Sequence, residues 1–167
     1  MKKNECTTAK LGKGEVSVYD FEGTRLHAYK TNDLIDDEVF IVEKDGQGFV
    51  IELPPFFDNI EELTGYINDK GIEIVGIVPP YHMAGATFLP GAPVYSTKEA
   101  DEYGHTGGGK ALIDNFTAAF GDAFDNSIPD VTDYIEGDEL ELAGIPMRIV
   151  RNDEAFDIEL PSINSVY

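Results

Sequence analysis

Ile72-Glu73-Ile74-Val75-Gly76-Ile77-Val78 is almost continuously apolar, as a strand buried on both faces should be. Just before it, Ile60, Leu63, Tyr66 and Ile67 recur at helical spacing. That spacing predicts a helix over about 59–70, capped by Asp58 or Asn59 and ended by Gly71. Ahead of the helix, Gly48-Phe49-Val50-Ile51-Glu52-Leu53 reads as a strand that stops at Pro54-Pro55. Strand, helix and strand in this order make a crossover unit. The fold is therefore mixed α/β and not an all-β barrel.

The segments on either side fit that frame. Glu15–Phe21 and Arg25–Tyr29 flank a Glu22-Gly23 turn, and Glu38–Glu43 meets Gly48–Leu53 across Lys44-Asp45-Gly46. Two hairpins thus precede the crossover. Residues 1–14 are polar, carry four Lys and two Gly, and read as a loose start. Past a Gly/Pro-rich stretch at 79–93, Val94-Tyr95 is a short strand and Ser96 caps a helix through Tyr103. Lys110–Phe120 is a further helix, with Leu112, Ile113, Phe116, Ala119 and Phe120 on one face. Glu139–Leu142 and Ile145–Val150 form a hairpin about Ala143-Gly144. Phe156–Leu160 and Ile163–Tyr167 close the chain as strands. Phe49-Val-Ile-Glu-Leu-Pro54 and Phe156-Asp-Ile-Glu-Leu-Pro161 echo one another, as two strands ending in Leu-Pro can by chance.

The 167 residues suit one domain, expected over 15–167. Twelve Lys and Arg against 32 Asp and Glu give a net charge of −20, which argues against nucleic-acid partners and anionic membranes. The single Cys6 excludes an intrachain disulfide and a Cys-rich zinc site. Met1-Lys2-Lys3 is followed by polar residues where a signal peptide needs an apolar run, so a soluble, cytoplasmic protein is expected.

Chemistry is sparse in the sequence. The three His, at 27, 82 and 105, form none of the spacings by which two imidazoles meet one metal. His27 lies on a strand, His105 precedes a glycine run, and His82 follows the buried strand, where open α/β sheets place ligands. Gly104-His105-Thr106-Gly107-Gly108-Gly109-Lys110-Ala111 approaches a phosphate-binding loop. It has Ala111 in place of the magnesium-binding hydroxyl and no buried strand before it. A nucleotide-binding module using Gly104–Lys110 is one functional alternative; the other reading is a flexible link between helices. No GxSxG elbow occurs, and Cys6 falls in the loose start, so nucleophilic catalysis lacks support.

The order of segments resembles the N-terminal half of the metallo-β-lactamase superfamily, an αββα sandwich of metal-dependent hydrolases. The strand with Glu52, the helix over about 59–70, the strand Ile72–Val78 and the hairpin at 137–145 follow the family's sequence of elements. The resemblance implies a truncated metallo-β-lactamase-like domain with mixed sheets and flanking helices. The family's HxHxDH loop aligns with Pro80-Tyr81-His82-Met83-Ala84-Gly85. His82 matches the second His; Pro80, Ala84 and Gly85 replace the other ligands. The next metal His would fall near Arg151-Asn152-Asp153.

A zinc site needs three or four converging protein ligands. The expectation is a degenerate, metal-free, non-catalytic domain that binds a small molecule in the old cleft or a partner protein. Under the alternative, a hydrolase of the same fold would hold zinc or another divalent metal with unorthodox donors: Glu52, His82, His105 and Asp153. His82 is expected in a loop facing a cleft at the end of the Ile72–Val78 strand. Ser165-Val166-Tyr167 reads as an apolar edge strand, and a homodimer through the C-terminal strands would cover it.

Overall fold

Asp45 and Gly46 both adopt positive φ, 53° and 85°, the two-residue turn geometry that matches the twist of paired strands. It joins strands β4 (Glu38–Lys44) and β5 (Gln47–Ile51). The protein, a computed structural model, is described at residues 6–81 and 83–167. With β1 (Cys6–Lys10), β2 (Glu15–Phe21), β3 (Thr24–Lys30) and β6 (Glu73–Val78), these strands form one six-stranded sheet in chain order. Strands β1 to β5 are antiparallel, and β6 runs parallel to β5. Helix α1 (Phe57–Lys70) makes that parallel crossover, as the apolar spacing predicts.

The α1 face of the sheet carries Val16, Tyr29, Val39, Ile41 and Val50, packed on Ile60, Leu63 and Ile67. The opposite face carries Val42, Phe49, Ile51 and Val78, packed on a second sheet. That sheet orders its strands as β9 (Glu139–Leu142), β10 (Ile145–Arg151), β11 (Phe156–Leu160) and β12 (Ser165–Val166). Its inner side chains, including Ile145, Met147, Ile149 and Ile158, are buried. Each buried side chain of this size contributes about 1.5–3 kcal/mol. The outward set on this sheet includes Glu139, Glu141, Arg148, Asp157 and Glu159 with Pro146, Val150 and Val166, so the alternation is apolar-in and mainly charged-out. Between the sheets in sequence lie the β7 (Tyr95–Ser96) and β8 (Asp133–Tyr134) pair and helices α2 (Lys98–Thr106) and α3 (Gly108–Phe120).

Several local expectations are corrected. Cys6–Lys10 is not loose but pairs with β2 along its whole length; all five residues are exposed, so no burial pattern marked it. Phe56, not Asp58 or Asn59, precedes α1, and no side chain caps it. Asn59 turns inward and donates to Tyr29 Oη (2.8 Å) and to the Thr31 carbonyl (2.9 Å). Thr97, not Ser96, caps α2, its hydroxyl accepting the Ala100 amide. The segment after Pro161 is a 3₁₀ turn to Ile163, and only Ser165–Val166 is strand. Among the described residues, no helix is long and apolar enough to cross a membrane.

Candidate functional site

Strands β5 and β6 end side by side, and the chain leaving each of them builds one end of the molecule. Glu52 follows β5 with φ +70°, a conformation costly for a side-chain-bearing residue and concentrated at functional sites. Its amide donates to the Val78 carbonyl (3.3 Å), and the residue is buried. Burial and the Glu52 carboxylate together raise the Tyr167 hydroxyl above the ordinary tyrosine range.

The loop after β6 is pinned from below. Gly85 and Ala86 donate their amides to the Ser127 carbonyl. Asp125 accepts the Thr87 amide (3.0 Å) and hydroxyl (2.6 Å) and the Ser127 amide (3.1 Å) and hydroxyl (2.5 Å). Burial alone would raise the Asp125 carboxyl, but these hydrogen bonds outweigh it and hold the group below its usual value. The loop's own floor is apolar: Ala84 packs with Phe56, Ile113 and Phe124. Phe56 lies edge-on to Phe120 (5.2 Å between centroids) and Phe124 (5.6 Å). Above them is a cavity of about 30 Å³, room for one or two waters, lined chiefly by Ile35, Met83, Leu112, Ile113 and Phe116. Asp37 and Tyr81 also line it.

The sequence-predicted candidates fare differently. Glu52 sits at this end. His82 lies outside the described residues. His105, in the last turn of α2, is committed to Asp101, whose carboxylate and carbonyl are both 3.0 Å from its Nδ1. Asp153 is exposed in the β10–β11 turn, beside a groove with Glu99, Glu102 and Tyr103. Arg151, near the expected metal His, instead donates to the Ile135 and Gly137 carbonyls. Among the described residues, no three His, Cys, Asp or Glu side chains converge as a metal group would need.

The glycine run has a packing reason. It joins α2 to α3, so a helix stands where a phosphate loop requires a strand. A Cβ on Gly107, Gly108 or Gly109 would press on Tyr103 at 2.8–3.0 Å, and one on Gly104 would stand 2.5 Å from Met83. Lys110 pairs with Asp114 (2.5 Å). Tyr103 in turn stacks on Tyr81, 5.7 Å between centroids, and the hydroxyl contact between them pushes Tyr103 up to about 12. The aromatic floor and this tyrosine pair were not foreseen. The apolar face at Ile113, Phe116 and Phe120 was the available signal, but a helix in a core leaves the same trace.

Three solved structures share this architecture. A β-lactamase domain protein from Burkholderia ambifaria superposes with a TM-score of 0.58, at 17% identity over 86% of this chain and 52% of its own. The B3 metallo-β-lactamase BLEG-1 gives 0.56, at 10% identity over 77% and 64%. TMB-1 gives 0.53, at 18% identity over 91% and 67%. The fold is metallo-β-lactamase-like. This chain spans about half to two thirds of the length of those structures. No protein-family model matches the sequence, and no curated protein matches it.

The metal implied by a metallo-β-lactamase-like fold does not fit the described residues. Gly85, which the sequence resemblance sets against the last ligand of the HxHxDH loop, has φ +100°, and a Cβ there would lie 2.5 Å from the Pro54 carbonyl oxygen, so a side chain at this position is strained. Ala84, at the Asp position, is sealed among phenyl rings.

Proposed function

We propose that this is a non-catalytic metallo-β-lactamase-like domain whose cleft end holds an apolar group of a small ligand. The observation that carries the reading is the loop Met83-Ala84-Gly85 at the place of the family's metal-ligand loop: Ala84 packs on Phe56, Ile113 and Phe124, Met83 lines the cavity beside it, and Gly85 lies against the Pro54 backbone. Such a surface gains from excluding water and offers little to a hydrated cation. Leu112 and Phe116 are only half-buried, so the wall contributed by α3 can give way to a ligand larger than the resting cavity.

Two measurements test this. Purified protein should carry zinc, iron and manganese well below one equivalent by emission spectrometry. Stoichiometric metal would instead install the alternative, a hydrolase with unorthodox donors among Glu52, His82, His105 and Asp153. Hexanol titrated into labelled protein should shift resonances of Ala84, Ile113 and Phe116 saturably; shifts spread over the whole surface would reject the cleft as the binding place.

Two lesser elements belong to the same proposal. A homodimer through the C-terminal strands is supported by the edge position of β12 and by Val166, which is 69% exposed. Light scattering that returns an 18.3 kDa monomer at tens of micromolar would remove it. A cytoplasmic setting is supported by the acidic composition and the lone Cys6; fractionation of cells expressing the chain decides it.

A further inference from the structure

The cleft lies at the N-terminal end of α1; a second polar cluster lies at the other end, about 20 Å along the helix. Alternation on β3 puts Arg25, His27 and Tyr29 on the face that α1 covers. Arg25 is paired in register with Glu43 on β4, its Nε 2.8 Å from Oε2 and its Nη2 3.1 Å from Oε1. The Gly46 amide adds a third bond to that carboxylate (3.1 Å). His27 is 2% exposed. Its Nδ1 is 2.8 Å from Tyr66 Oη, while its Nε2 lies 3.5 Å from Glu43 Oε2 and makes no hydrogen bond. The neutral ring therefore keeps its proton on Nε2, facing the carboxylate, and Tyr66 donates to Nδ1.

Arg25, His27, Tyr66 and Lys70 line a groove of about 300 Å³, with Thr7 and Asp20. Lys70 rests its ammonium over the Tyr66 ring, 5.6 Å from the centroid. In a chain with 12 Lys and Arg against 32 Asp and Glu, two cations and a titratable imidazole meet here. Among the described residues Asp20 is the one carboxylate in the wall, and Arg25 pairs with Glu43 beneath it. Repulsion from the rest of the acidic surface fades within a Debye length of about 8 Å at physiological salt.

We propose that this groove is a proton-linked binding site for a small oxyanion. A proton taken up at His27 Nδ1 reverses the bond to Tyr66: Nδ1–H donates to Oη, and the displaced phenolic hydrogen turns outward to donate to the oxyanion. Glu43, already paired with Arg25, also faces the imidazolium, so protonation adds one positive charge to the groove beside the Arg25 and Lys70 cations. The groups facing His27 are Glu43 from β4, Arg25 from its own strand, Asp20 from β2, and Tyr66 and Lys70 from α1. In the empty groove, burial outweighs Glu43 and holds the imidazole below its usual value, with Arg25 and Lys70 adding to the effect. An anion in the groove favours the protonated form, and by reciprocity protonation favours the anion.

Sulfate is the probe, because its charge is constant near neutrality, with sodium chloride at matched ionic strength as control. Titrated into labelled protein, sulfate should shift Arg25, His27 and Lys70 saturably, bind more tightly at about pH 5.5 than at about pH 7.5, and raise the His27 titration midpoint. Lys70→Met, a surface change that leaves the buried network intact, should weaken binding about threefold, the size of one exposed charge contact. His27→Asn should remove the pH dependence. Shifts equal to those in chloride, or sulfate affinity unchanged by both pH and Lys70→Met, would overturn the site.

Discussion

Glu62 on α1 reaches across to Gly14 and accepts its backbone amide at 2.7 Å. The same carboxylate takes the Lys13 amide (2.6 Å) and the Tyr29 hydroxyl (2.9 Å), so one side chain ties the β1–β2 turn to the helix layer. Burial by itself would raise this carboxyl, but its hydrogen bonds to Gly14, Lys13 and Tyr29 outweigh burial and lower it. A lowered folded-state value contributes stability above the ordinary glutamate range, about pH 4.3, that is lost as pH falls through the folded value. Glu62→Ala should cost about 1–3 kcal/mol at neutral pH, read by urea unfolding, with the cost shrinking below about pH 4. A cost that does not change with pH would contradict this role.

A histidine placed at Gly85 should not create a metal site. Gly85→His must place a side chain at φ +100° and against Pro54. We expect a loss of more than about 1 kcal/mol and no gain in bound zinc, checked by thermal unfolding and emission spectrometry. A stable, zinc-loaded variant would reopen the alternative mechanism.

Phe124→Ala separates packing from binding. Removing a buried phenyl should cost about 3–5 kcal/mol and enlarge the cleft cavity. If apolar ligands enter there, hexanol should bind the variant more tightly than the parent protein. Unchanged or weaker affinity in a folded variant argues that the ligand sits elsewhere.

Lys110→Ala should be nearly silent. The residue makes a partly exposed i,i+4 pair with Asp114, worth about 0.3–0.5 kcal/mol. ATP and GTP should leave the melting temperature of both proteins unmoved. A nucleotide-dependent rise that vanishes in the variant would revive the phosphate-loop reading.

The crossover at Phe49–Val78, the three hairpins and the two later helices could be read from alternation, spacing and turn residues, because each buries one face and the pattern records that face. Strand β1 could not, because it is held by backbone pairing and a Thr8–Ser17 hydroxyl contact, with every residue exposed. The caps of α1 and α2 were misplaced by one or more residues, since Ser96, Thr97, Asp58 and Asn59 all carry capping groups and only packing decides which turns inward. At the cleft, the phenyl floor was not legible in the sequence. Phe124 reaches Phe56 from nearly seventy residues away in the chain, in an irregular segment with no period to follow. His27 was visible as a strand residue. Its partners Glu43 and Tyr66 come from different elements, and the cluster exists only once β3, β4 and α1 are assembled.

The outward face of the second sheet bears on colloidal behaviour. Glu139, Glu141, Arg148, Asp157 and Glu159 protrude from adjacent strands, with Pro146, Val150 and Val166 as apolar members of the same face. A bare sheet face invites flat stacking of one molecule on another, and like charges there keep copies apart in concentrated solution. The safeguard depends on those carboxylates staying ionised. Near pH 4.2, the isoelectric point given by the composition, the net charge vanishes and the repulsion lapses. Turbidity against pH should therefore peak there, and the peak should broaden when Asp157 and Glu159 are replaced by Asn and Gln.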